Sequence, residues 1–329
     1  MPWKSDVDLK WTYPAGSAGF RCFQKSRFRF FVWGFCDRFK CVSGGGEPMR
    51  SDWTDGRQAI SAAVFLVVAA WAGACSAWGA GGRWVVEDQR GACVLYSEFS
   101  IPPADVWREL EDVSALLEQS AGIVASTERV EVVLFASQSS YLKYLSQGLP
   151  QARNRRALFY RNAGVSQIYA WKSRSLMTDL RHEMVHVRVH QHLPFAPLWL
   201  DEGLAECFEE RAGSRVDVTR REQLRWRARV NQVGSLRVLE RLPSAEAMDG
   251  DDYRNSWAWA AFLLQESEES RNLLRAYIAE IHRGEAPGAF SSWADARVPS
   301  LLPRANSYFR KMPSSLNFGL SSRQNGPGD

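Results

Sequence analysis

The chain has 329 residues, enough for one large domain or two lobes. It is 45% hydrophobic and 24% charged, a globular composition that excludes wholesale disorder and a collagen-like rod. The net charge of +4 comes from residues 1–57, with ten Lys/Arg against six Asp/Glu. The neutral remainder lends a phosphate-binding surface no support, so nucleic acid is not expected as a partner.

Residues 1–48 are odd in composition, with Phe and Arg alternating around Arg27–Phe35 and a Gly44-Gly45-Gly46 run. Export signals normally begin near their initiating Met, and Met49-Arg50 through Arg57 makes a normal positive start. Residues 1–48 therefore read as a spurious or disordered leader, and 49–80 as a signal peptide or membrane anchor. No residue from Gln58 to Gly82 is charged, and small residues follow the apolar core Ala59–Ala72. Three readings stay open. The signal is cleaved, or the run at 58–82 is an uncleaved membrane tether, or Ala72-Gly73-Ala74-Cys75 is a lipoprotein box with Ala72 where Leu is usual. Each puts the rest of the chain outside the cytoplasm, secreted or periplasmic and in some cases anchored. Only Cys93 and Cys207 of the six cysteines lie beyond this stretch. They read as two unrelated buried thiols, with a disulfide as the alternative in an oxidising compartment.

Past the signal, Val85-Val86 and Cys93–Tyr96 are β-rich and are separated by Gln89-Arg90-Gly91. Pro102-Pro103 opens a helix in which Val106, Leu110, Val113 and Leu117 recur at helical spacing through about Gln119. Val130–Phe135 reads as a buried strand and Ser139–Leu149 as a short helix. Ala157–Tyr160 and Val165–Trp171 read as a hairpin, with Asn162-Ala163-Gly164 as a three-residue turn. Helices follow over Leu176–His190, from Pro197 to near Gly213, and over Arg220–Val233, Ser235–Leu242, Tyr253–Gln265, Ser270–Arg283 and Arg304–Met312. The Ser-, Asn- and Gly-rich tail, 313–329, is expected to be disordered.

The chemistry sits at the junction of the mixed and helical parts. His182-Glu183-Met184-Val185-His186 is an H-E-x-x-H motif on an expected helix. Four residues advance a helix by about 400°, so both imidazoles lie on one face, about 6 Å apart along the axis, and reach one tetrahedral zinc ion. Glu183 lies roughly 100° round the helix, beside the metal, where it can take a proton from the attacking water. A catalytic zinc needs a third protein ligand and an open position. Glu202, in Trp199-Leu200-Asp201-Glu202-Gly203-Leu204-Ala205-Glu206, meets that need if the second helix folds back on the first. Glu206, one turn on, is placed to accept a hydrogen bond from a ligand imidazole.

A rival third ligand, His192, belongs to a pattern with Gly at position 189. This chain has Val189, which favours continued helix. His190 is two turns from His182, roughly 12 Å, too far to share the ion. Tyr253 is the candidate donor to the oxyanion, with Tyr160 and Tyr169 as weaker alternatives. Ala157–Arg161 or Val165–Ala170 could serve as an edge strand that pairs with an extended substrate.

H-E-x-x-H followed by W-L-x-E-G-x-A is similar to the gluzincin metallopeptidases, which include thermolysin and the membrane alanyl aminopeptidases, and especially to the bacterial peptidase MA-like domains. The resemblance is strong over His182–Glu206; from Trp84 to Met312 it is a likeness of element order. It implies zinc as cofactor and a peptide or protein as substrate. His182, His186 and Glu202 would be the ligands, Glu183 the base and Glu206 the partner of a ligand imidazole. Family members often have Tyr where this chain has Cys207. The expected fold class is α+β: a zincin-like mixed-sheet lobe with an H-E-x-x-H helix, then a helical lobe from about residue 214, over residues 81–312. The expected function is zinc-dependent peptide hydrolysis. Its rival is a non-catalytic, zinc-containing envelope binding or scaffold protein, against which Glu183 argues because a structural site has no use for a base.

Overall fold

The computed structural model describes residues 83–147, 155–211, 213–214 and 216–316. The leader and the signal or anchor expected over 1–80 lie outside them, as does the tail from 317. No helix among the described residues is long and apolar enough to cross a membrane.

Strands β1 (Val86–Arg90), β2 (Cys93–Ser97), β3 (Val130–Phe135), β4 (Ala157–Asn162) and β5 (Val165–Trp171) form one mixed sheet in the order β1-β2-β3-β5-β4. The inner strands β2, β3 and β5 run parallel, and β1 and β4 are antiparallel edges. All of β3 is buried except Glu131, the near-continuous apolar pattern of a strand covered on both faces. The β4–β5 turn is tighter than its sequence suggests. Asn162 pairs with Val165, so the loop is Ala163-Gly164 alone, and both residues have positive φ (48° and 80°). That is the two-residue turn whose twist matches the strands, with Ala163 in a conformation that glycine would hold more easily.

One face of the sheet carries α1 (Pro103–Ala121) and α3 (Leu176–His192). Pro103 starts α1, and Gly122 at φ 74° ends it, with Gly122 N–H on Glu118 O at 3.0 Å. The other face is covered by α2 (Gln138–Leu145), which packs Tyr141 and Leu145 on Val133, Phe135, Leu158 and Tyr169. The helix expected to reach Leu149 is described only to Leu145.

Helix α4 (Leu198–Phe208) leads into the helical lobe, which comprises α5 (Val218–Arg229), α6 (Leu236–Leu239), α7 (Gly250–Gln265), α8 (Glu268–His282), α9 (Phe290–Asp295) and α10 (Leu301–Arg310). From Asn255 to Leu264 α7 is buried all round, so it forms the axis of this lobe. Helix α4 is packed between α3 and α7. It stops at Phe208, short of the expected Gly213, and α10 starts before Arg304. The first residues assigned to the disordered tail are ordered: Gly213 N–H donates to Leu316 O and Val216 N–H to Ser314 O, and Leu316 is buried. Cys93 and Cys207 are both free thiols.

Candidate metal centre

The site is built where α3 and α4 run side by side in opposite directions. The His182 and His186 rings share one face of α3, with centroids 5.0 Å apart. Pro194 and Pro197 flank the turn, and the second turn of α4 brings Glu202 back over that face. One carboxylate oxygen, Glu202 Oε2, lies 3.8 Å from His182 Nε2 and 3.8 Å from His186 Nε2. That is too long for a hydrogen bond. It is a little over the ~3.3–3.5 Å between donors around a tetrahedral zinc with bonds of about 2.0–2.2 Å.

The other ring nitrogens are occupied. His182 Nδ1 pairs with Glu209 Oε2 at 3.1 Å, and His186 Nδ1 with Asp201 Oδ1 at 2.9 Å. In a neutral ring with Nδ1–H donating to its carboxylate, Nε2 has its lone pair directed inward, the usual arrangement behind a metal-binding imidazole. Asp201 also pairs with His190 Nε2 at 2.9 Å, so one carboxylate steadies two histidines a turn apart. The donor set, two imidazoles and a carboxylate with carboxylate partners behind the rings, fits zinc.

The charges follow from this packing. Burial opposes the imidazolium of His182, but the hydrogen bond and charge of Glu209, with Glu183 and Glu202, push it up to about 10. Burial also opposes ionised Asp201, yet His186 and His190 hold it far below the ordinary carboxylate range. Burial raises Glu202, and the two histidines only partly oppose that.

Glu183 is buried, and its Oε2 accepts the Phe159 N–H of β4 at 2.7 Å. Edge strand β4 thus fixes the carboxylate from the side, and the Phe159 ring stacks near His186. Of the two strands considered for substrate pairing, β5 is internal and β4 is the edge.

Tyr253 sits in the first turn of α7, within the field of Glu202. Burial and then that charge push its phenol well above the ordinary value, so it is a neutral donor. Tyr160 and Tyr169 pack with the α2 cluster, on the opposite face of the sheet from α3. His192 stacks on His282, with centroids 4.1 Å apart, away from the three donors.

Glu206 corrects an expectation. It pairs with Arg220, whose guanidinium lies over the Trp257 ring at 4.2 Å, and Glu209 instead holds His182. Residues 206 and 209 share a helix face with Glu202, and the antiparallel offset of α3 and α4 brings the later one level with His182. Three contributors escaped sequence reasoning. Asp201 and Glu209 stand beside the recognised motif. Arg155, just before β4, faces Glu183, Glu202 and Tyr253 electrostatically; its only sequence signal is the Arg155-Arg156 pair ahead of a strand.

No family model matches the chain, and no curated protein sequence matches it. Among solved structures it is similar to an M1 zinc metallopeptidase from Deinococcus radiodurans, at 15% identity and a TM-score of 0.32. The match covers 72% of this chain and 53% of that protein, so the chain spans about half its length.

Proposed function

We propose that this chain is an exported zinc metallopeptidase: His182, His186 and Glu202 hold the ion, and Glu183 is the general base. The observation that carries the proposal is the single oxygen of Glu202 equidistant from two imidazole nitrogens whose partner atoms are tied to carboxylates. The ion, when bound, supplies the Lewis acidity that polarises a peptide carbonyl and acidifies water.

The chain's own groups do the rest. Glu183 takes the proton of the attacking water on its carboxylate and passes it to the leaving amine. The Phe159 N–H keeps that carboxylate oriented. Tyr253 donates its phenolic proton in a hydrogen bond to the developing oxyanion. An extended peptide adds along the β4 edge beside Glu183, pairing with outward main-chain groups other than the Phe159 N–H, which Glu183 occupies. Export rests on the uncharged run at 58–82, outside the described residues.

The test is zinc content and peptide cleavage of the purified full chain beside Glu202→Ala and Glu183→Ala. About one zinc per chain is expected, sharply reduced in Glu202→Ala. Glu183→Ala keeps the zinc and loses ~10²–10⁴-fold in turnover. Wild-type turnover by Glu183→Ala, or zinc retained by Glu202→Ala, overturns the assignment.

A further inference from the structure

Arg181, the residue before the first ligand, is 2% exposed, among the largest fully buried side chains. Its Nη1 meets Glu109 Oε2 at 3.1 Å and Asp112 Oδ2 at 2.6 Å, both on α1. On its other side Nε donates to Phe208 O at 3.1 Å and Nη2 to Glu210 O at 3.2 Å. Those two carbonyls flank Glu209, the residue whose carboxylate holds His182 Nδ1.

A buried ion network is a poor source of stability, since apolar side chains of similar volume commonly do as well. What a guanidinium adds is direction: its planar fork fixes several acceptors at once. Here it fixes the main chain on both sides of Glu209. Phe208 is the last residue of α4, where carbonyls lack partners within the helix, and Glu210 lies two residues beyond it. The α1 carboxylates Glu109 and Asp112 pair with the buried guanidinium.

We propose that Arg181 is a positioning residue that holds Glu209 against His182 and thereby sets the affinity of the site for zinc. The inference rests on the metal-site reading above. Groups that orient a ligand imidazole typically contribute 10–100-fold in metal affinity.

The experiment is zinc affinity of the full chain, measured by competition with a chromophoric chelator, with urea unfolding of each metal-free variant alongside. Arg181→Met is expected to weaken zinc binding by about 10-fold or more. Arg181→Lys keeps a charge for α1 but cannot span both carbonyls, so it also weakens binding and decides the matter should the Met variant not fold. Glu209→Gln weakens binding to a similar degree, and the double variant Arg181→Met/Glu209→Gln is no weaker than the worse single, because both act through one contact. Arg211→Ala removes the exposed arginine on Glu109 and stays within about twofold of wild type. Wild-type affinity in both Arg181 variants overturns the proposal, as does a double variant whose losses multiply. A wild-type chain that binds no zinc, or whose zinc survives His182→Ala, refutes the metal-site reading itself and the inference with it.

Discussion

At Gly203, the residue after Glu202, α4 approaches α7 closely. A Cβ placed there would stand 2.6 Å from the Ser256 carbonyl oxygen and 3.0 Å from the Ala260 Cβ, where 3.4 Å begins ordinary contact. Gly203→Ala therefore forces the helices apart by about 0.8 Å, because the obstacle is main chain of a buried helix and cannot swing aside. Overpacking of this kind costs ~1–3 kcal/mol, against which alanine returns about 1 kcal/mol of helix propensity. With a rigid obstacle the cost falls in the upper part of its range, leaving a net loss of about 1–2 kcal/mol. At ~2–4 °C per kcal/mol for a domain of this size, the metal-free protein melts about 2–8 °C lower. Because α4 carries Glu202, the retreat also displaces the third donor from the histidines, and zinc affinity falls with stability. Differential scanning calorimetry and chelator competition on the same preparations test both parts. A variant that melts at or above wild type and binds zinc equally well refutes the close-approach argument.

Tyr253→Phe removes the phenolic donor while keeping the ring; kcat on a cleaved peptide is expected to fall ~10²–10³-fold with zinc content and KM unchanged. Equal kcat would remove Tyr253 from the mechanism. Glu109 supplies an acid-dependent effect. Burial disfavours its charge, but Arg211 and Arg181 hold it below its ordinary value of 4.5. Its contribution to stability is therefore present above pH 4.5 and is lost as pH falls through the lower folded value. Urea unfolding of the metal-free protein over a pH series should show Glu109→Gln less stable than wild type near neutrality, with a shallower decline below pH 4.5. A decline as steep as wild type would show that Glu109 is not one of the titrating groups.

The meeting of His182, His186 and Glu202 could be read from the chain because they fall within one short stretch. Helical spacing alone puts His182, Glu183 and His186 on neighbouring faces, and a proline-flanked turn returns Glu202 to them. The partner of His182 could not be read. Glu206 and Glu209 both share a face with Glu202, and the choice between them depends on the axial offset of α3 and α4, which is a matter of tertiary packing. Arg155 escaped for a similar reason: its place beside Glu183 depends on β4 being the sheet edge. Hairpin patterning shows that β4 and β5 pair but not which of them meets β3. The shortened turn has the same root, since a one-residue difference in loop length is decided by strand register rather than by the identity of Gly164.

Two fasteners of opposite character hold α4 in place, and each restricts a different motion. At its midpoint, Gly203 lets α4 sit hard against α7, which limits how far Glu202 can move from His182 and His186 on α3. At its end, Arg181 grips the carbonyls around Glu209, which limits rotation and fraying where the His182 partner stands. The first is steric and insensitive to salt; the second is ionic but buried, and so is screened little. A site that needs one carboxylate oxygen equally far from two imidazoles tolerates neither a sliding nor a twisting helix. The pair explains why a glycine, poor for helices, and a buried arginine, poor for cores, are both found within two residues of a zinc-ligand candidate.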